Sequence, residues 1–470
     1  MDKDKKSIAE RLAEYAASGV LPMHMPGHKR NASAPYLSLP AASVDITEID
    51  GFDDLGDPRG IIAESERLAA ALWGSDEVLY SVNGSTSCVL SAVTALCREG
   101  KPAIVARNCH RSVYHALEIA GAAPVFIAPP KTECGLWGSV TPGSVADALD
   151  AHPDASAVIV TSPTYEGVIS DIRGICGAAH RRGVPVIVDE AHGAHLGLFG
   201  VFPEGAVGCG ADVAVHSLHK TLRSLTQTAA LSVSGGLVDR AEIRRRMAVF
   251  GTSSPSYLLI ASIDGEVRSL LEGRGRSLSR WLKAVTETKK RLKALGTLAV
   301  PDLPGDPAVF GADPSKIYID SHGAGIRGET IAKALRDLKV ETEAVYPYGV
   351  LAMTGEGDGE ESLRRFADAI IEVDRTAEKR EPAAPDKTVF IPERVMTARE
   401  ATAKRRVSVP LGEAGGKVSA GYVFAYPPGV PIVTPGERIA GESVREIREA
   451  QRSGIRVVGV EDDSVYAVEK

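Results

Sequence analysis

The chain has 470 residues, of which 44% are hydrophobic and 24% charged, with a formal net charge of −7 and a pI near 5.9. That length exceeds what one compact core carries, so two or three domains are expected in a protein of ordinary globular composition. The mild acidity and the lack of any long basic block argue against a nucleic-acid or membrane-surface role, and no apolar run reaches the roughly 18 residues of a transmembrane helix.

The N-terminus, MDKDKKSIAERLAEYAASG, is charged and lacks the apolar core of a signal peptide. Residues 6–18 have the pattern of an amphipathic helix, and LPMHMPGHKRN (21–31) reads as a turn-rich segment. Residues 45–60 form a loop dense in carboxylates, the ordinary reading of which is a solvated acidic loop. A helix is predicted over 61–74, with Ile62, Leu68, Ala69 and Leu72 on one face. Strands are predicted at 77–82, 102–107, 124–127, 157–162, 185–190 and 211–217. Helices at 87–100, after a turn at 83–86, and near 110–120, 143–150 and 173–182 separate most of them. Short, β-branched runs alternating with helices predict an α/β fold with a mostly parallel sheet covered on both faces.

Beyond the sheet, Tyr257 to Leu295 has few helix breakers and predicts one or two long helices, and residues 296–375 mix strands and helices as a smaller α+β domain does. EKREPAAPDK (378–387) is a linker candidate. The expected division is an N-terminal arm (1–30), a large cofactor-binding domain (31–255), long helices with a small α+β domain (256–380), and a C-terminal domain (388–470). The six cysteines are scattered with no C-x-x-C pair, which points to reduced thiols and a cytoplasmic protein.

In open α/β sheets, ligands bind outside the carboxyl ends of the strands. The segments there are NGSTS (83–87), NCHRS (108–112), SPTYEG (162–167), DEAHGAH (189–195) and HSLHK (216–220). Asp189 and Lys220 each stand just past a strand end, with Ser217 and His219 beside the lysine. Singly, these read as a strand-end cap and a surface lysine. In this order they point to one cofactor held between them, pyridoxal phosphate. Asp189 would keep the ring nitrogen protonated, Lys220 would form the imine, and Ser217 and His219 would add phosphate or ring contacts.

Ser85, Thr86 and Ser87 lie where a strand turns into a helix, so backbone N–H groups, the helix dipole and hydroxyls together favour a phosphate. A plain capped helix start is the alternative. The His110 imidazole could stack on a planar cofactor. The pairs His192/His195 and His216/His219 lack the further ligand spacing of a zinc site, so no metal is expected. The tetrapeptide Asp189-Glu190-Ala191-His192 spells a helicase signature, but the required phosphate loop is missing. The Gly-Lys pairs, Gly100-Lys101 and Gly416-Lys417, are followed by Pro102 and Val418.

With these blocks, and with HMPGHKRN (24–31), DITEI and DDL (45–55), TSSPSYLLIASID (252–264) and YPPGVPIVTPGE (426–437), the chain resembles the bacterial ornithine/lysine/arginine decarboxylases in their short form. The resemblance covers most of the chain in family order. It implies an aspartate-aminotransferase-like fold (pyridoxal-phosphate fold type I), with Lys220 as the Schiff-base lysine, Asp189 at the pyridine nitrogen and His110 stacked on the ring. It places Ser85, Thr86, Ser87, Ser217 and His219 around the phosphate and imine, and Ala191 and His192 beside the ring. It further implies a homodimer or higher oligomer with shared active sites, the neighbour's Thr252 reaching the phosphate, and a role in polyamine biosynthesis. The family often has a histidine after the DDL element, where this chain has Gly56.

The implied reaction is decarboxylation of arginine, lysine or ornithine to the amine. The distal cation of such a substrate needs a carboxylate, for which Asp50, Asp53, Asp54 and Glu437 are candidates. The alternatives are another enzyme of the same fold, an aminotransferase or a lyase, and a non-catalytic pyridoxal-phosphate-binding protein. An aminotransferase needs an arginine for the α-carboxylate, and Arg327 is a candidate.

Overall fold

The computed structural model describes residues 17–24, 26–29, 35–38, 41, 44–426 and 429–469. The helix expected over 6–18 lies, but for its last two residues, outside them. At the centre is a seven-stranded sheet. Its strands are β1 (Glu77–Ser81), β2 (Pro102–Ala106), β3 (Ala123–Ile127), β4 (Val158–Thr161), β5 (Val186–Asp189), β6 (Val213–His216) and β7 (Ala229–Val233). Their spatial order is β1-β7-β6-β5-β4-β2-β3. β7 runs antiparallel to both β1 and β6, and the other pairings are parallel.

Every residue of β4, β5 and β6 is buried, as expected for strands covered on both faces. One core packs the sheet against helices Gly84–Leu96, Arg111–Ala120, Pro142–Ala151 and Ile172–His180. A second joins Tyr80, Leu196 and Leu218 to the long helices and the small unit. The long helical run divides into Tyr257–Gly273 and Arg276–Leu292, because Arg274 and Gly275 adopt φ of 46° and 70° and end the first helix in a left-handed turn.

The small unit is an antiparallel sheet of Lys316–Asp320, Gly349–Met353 and Ala344–Tyr346, with helices Gly328–Asp337 and Glu360–Thr376. Leu21–Met23 pairs in parallel with Val340–Thr342 and ties the N-terminal segment to this unit. Residues 378–387 carry neither helix nor strand. The C-terminal residues form two small sheets and helix Gly441–Arg452 around their own core of Leu411, Val433, Ile439, Ile447 and Val465. Among the described residues no helix is long and apolar enough to cross a membrane, and all six cysteines are free thiols.

Candidate active site

The parallel register of β5 and β6 sets Asp189 opposite Val215, so the turn after β6 passes beside the end of β5. Ser217 starts that turn, and the short helix Leu218–Thr221 carries Lys220. The loops after β2 and β4 supply Asn108, His110 and Thr164 to Glu166. One cleft gathers the predicted Ser85, His110, Asp189, Ala191, His192 and Lys220. It is completed by Asn108, Trp137, Thr161, Thr164, Tyr165, Glu166 and Val430.

Lys220 Nζ lies 2.9 Å from His192 Nε2. Burial pulls the Lys220 amine down from the usual lysine range, against the opposing charges of Asp189 and Glu343. Burial raises the Asp189 carboxyl, with Lys220 opposing, and the Ala191 N–H donates to Asp189 Oδ1 at 3.2 Å. His192 is held far below the ordinary histidine range by burial and by Lys220, and Tyr165 meets its ring edge-on at 4.8 Å. His110 caps helix Arg111–Ala120: its Nδ1 accepts from the Ser112 N–H at 3.3 Å and meets the Ser112 hydroxyl at 2.8 Å. This fixes the ring, and burial followed by Lys220 pushes its pKa down to about 3. His219 turns Nδ1 to the Thr228 carbonyl at 2.9 Å, and burial lowers it to about 4.

Other predicted residues lie around this cleft or apart from it. Thr86 is exposed on the first turn of its helix. The Ser87 hydroxyl is spent locally, on the Gly84 carbonyl at 2.8 Å and the Ser81 hydroxyl at 2.7 Å. Thr252 does not line the cleft of its own chain. Its N–H donates to Asn83 Oδ1 at 3.0 Å on the exposed surface. Two carboxylates considered for the substrate cation are committed elsewhere. Asp53 accepts from the N–H groups of Arg59, Gly60 and Ile62 and so caps helix Ile61–Trp73. Glu437 is buried with both oxygens on Arg107, at 2.6 and 3.1 Å. Asp54 Oδ1 accepts from the Gly56 N–H at 2.7 Å.

The residues present fit pyridoxal phosphate. Ser217 Oγ, Asn108 Oδ1 and His192 Nδ1 are buried without a hydrogen-bond partner, a costly state for groups that serve only the fold. Around them stand an amine for an aldehyde, a carboxylate for a ring nitrogen and a fixed neutral imidazole. Asn108 and Glu166 fall in loops that the sequence flags by position and Thr161 ends β4, but spacing does not show which side chain faces inward. Trp137 has no local signal and arrives by tertiary folding.

The family profile for the Orn/Lys/Arg decarboxylase major domain matches residues 7–309, and that for the C-terminal domain matches residues 385–461. The chain is 34% identical to the arginine decarboxylase of Bacillus subtilis, over 100% of this chain and 98% of that protein. It is 24% identical to a lysine decarboxylase of Pseudomonas aeruginosa, over 97% of this chain and 77% of that one. The solved constitutive lysine decarboxylase of Escherichia coli superposes with a TM-score of 0.75 at 19% identity, covering 98% of this chain and 81% of that one. An alanine–glyoxylate aminotransferase of Nostoc shares the fold more distantly, with a TM-score of 0.59 at 15% identity, covering 75% of this chain and 95% of that one. The sheet order, the buried Asp189–Lys220 cleft and the matched profiles therefore agree: the chain belongs to the Orn/Lys/Arg decarboxylase family.

Proposed function

We propose that this chain removes the α-carboxylate of a basic amino acid, arginine first among them, using pyridoxal phosphate held at Lys220. The observation that carries the reading is the single buried cleft in which Lys220, Asp189, His192 and His110 converge. Arginine is favoured because the Bacillus subtilis relative that aligns along its whole length bears that name, whereas the lysine decarboxylases align less closely.

Lys220 and Asp189 would hold the cofactor's aldehyde carbon and ring nitrogen, Ser85 and Ser217 its phosphate, and His110 its ring face. Bound there, pyridoxal phosphate supplies an exchangeable carbonyl carbon and a protonated ring that accepts an electron pair. Burial lowers the proton affinity of Lys220, which favours the neutral, nucleophilic form of its amine. With Lys220 donating, His192 accepts at Nε2 and carries its own proton on Nδ1. The pair can therefore pass a proton to the substrate α-carbon after CO2 leaves. Burial helps the step, since a carboxylate charge is lost.

Arg327, the residue an aminotransferase would need, is spent on the C-terminal unit. It faces Glu449 at 3.5 Å and lies over the Tyr348 ring at 4.7 Å. We further infer a homodimer. Phe52 and Ile61 are 44% and 50% exposed beside Tyr257 and Leu258 along an apolar cleft, a surface suited to a second copy that would bring its Thr252 to the phosphate. The free cysteines support a cytoplasmic location, and the amine product suits polyamine biosynthesis.

The test is incubation of the purified chain with arginine, lysine and ornithine, following CO2 and amine. CO2 from arginine, lost together with the visible cofactor absorbance in Lys220→Ala, is expected. Absorbance without CO2 from any of the three would favour an aminotransferase or a non-catalytic binder.

A further inference from the structure

Lys316 reaches the cofactor loop from the small unit. Its side chain is 0% exposed, as is that of Asp313. The ammonium spends its three protons on Asp313 Oδ2 at 2.7 Å, Ser315 Oγ at 2.9 Å and the carbonyl oxygen of His192 at 3.0 Å. Asp313 turns its other oxygen to His195 Nε2 at 3.2 Å and to the Ser315 N–H at 2.9 Å. Lys316 and Asp313, braced by Ser315, thus grip both histidines of the DEAHGAH turn, one by its backbone and one by its ring. The gripped His192 is the side chain that meets Lys220 at 2.9 Å. A buried ion pair is a poor device for stability alone, because desolvation offsets the attraction and an apolar pair does as well. This one is directed at the main chain of the residue touching the reacting amine.

We propose that Lys316 is a positioning residue, which fixes the backbone of His192 from the small unit and so sets how that imidazole meets Lys220. The inference rests on the pyridoxal-phosphate reading of the same cleft. It also has an electrostatic consequence of definite sign. Lys220 is faced by Asp189, Glu343, His110, His192, His219 and Lys316. Lys316 in turn is faced by Asp313 and His195, with Lys29 and Lys289 as further cations. A positive charge at Lys316 works against protonation of both His192 and Lys220. A neutral residue there removes that opposition and raises their proton affinity.

The experiment is a pH titration of the visible absorbance of the full-length chain loaded with pyridoxal phosphate. Lys316→Gln is expected to move the midpoint up by about one unit, a tenfold change in proton affinity, and Lys316→Arg to return it to the wild-type value. Asp313→Asn removes the negative partner and leaves the cation, so its midpoint moves down. Opposite shifts of this kind do not arise from a general loosening of the fold. A folded Lys316→Gln chain with an unmoved midpoint overturns the proposal. If that variant does not fold, an Asp313→Asn midpoint that fails to move down does the same. A wild-type chain with no visible absorbance would fell the proposal together with the cofactor reading, whereas a titrating wild type with unmoved variants fells this inference alone.

Discussion

A Cβ at Gly27 would lie 2.6 Å from the Leu222 carbonyl oxygen and 2.7 Å from the Thr221 carbonyl carbon. Both contacts are backbone, so they cannot be relieved by turning a side chain. The Gly27 N–H donates to the His219 carbonyl at 2.7 Å, and its own carbonyl accepts from the Gly357 N–H at 3.0 Å. The Glu356 N–H closes the arrangement on the Thr221 carbonyl at 2.8 Å. Residues 26–29 therefore run as a strap between the turn that carries Lys220 and the small unit, with Lys29 anchoring the strap by donating to the Met353 carbonyl at 2.5 Å. Gly27→Ala is expected to cost about 1–3 kcal/mol by overpacking. Because the displaced atoms belong to the Lys220 turn, the visible cofactor absorbance should shift along with the melting temperature. A variant that melts lower but keeps the wild-type spectrum would show that the strap does not position Lys220.

At the scale of elements, the end of β6 and the turn after it carry His216 and His219, while His110 caps the helix after β2. Burial holds them neutral, with values lowered to about 3, 4 and 3 for His216, His219 and His110. The unfolded chain takes up these protons near pH 6.5, whereas the folded chain does so only near pH 3–4. Their contribution to stability is thus complete above about pH 6.5 and lost as pH falls toward 3. Melting temperature should fall steadily over that range, and the fall should be shallower in His216→Phe, whose ring can keep the stack on Trp73 at 5.0 Å. Equal slopes would refute the account.

The same elements show what a sequence makes legible. Six of the seven central strands announce themselves as apolar runs ending in polar loops, and so do the positions of Asp189 and Lys220. β7, AALSV, escapes because two alanines and a serine leave it a single β-branched residue, too weak a strand signal beside runs such as VIVT and VIVD. It is nevertheless the strand that inserts between β6 and β1. Lys316 escapes for another reason. Nothing local separates a lysine that opens a strand from an ordinary surface lysine. Its function comes from contacts with residues more than a hundred positions away, such as His192.

Across the whole molecule, the C-terminal unit meets the large one through Glu437, read from sequence as a possible substrate ligand and found instead in a buried pair with Arg107. The pair is bidentate, and Arg107 also donates to the Ile432 carbonyl at 3.1 Å while its guanidinium lies over the Phe126 ring at 4.8 Å. Glu437 accepts a further bond from the Thr434 N–H at 2.7 Å. Removing one partner strands the other charge away from water, which typically costs about 3–5 kcal/mol. Removing both with apolar residues of similar volume leaves no stranded charge and is often close to neutral. Glu437→Gln should therefore lower urea stability by about that amount, whereas Arg107→Met combined with Glu437→Met should recover most of it. Additive losses in the double variant would mean that the two charges do not act as a pair. Because Arg107 directly precedes Asn108 and stands three residues before His110 in the loop after β2, the single variant should also weaken cofactor retention. The C-terminal unit thus lines the cleft with Val430 and braces it through Arg107, with the Glu437 carboxylate committed to that pair.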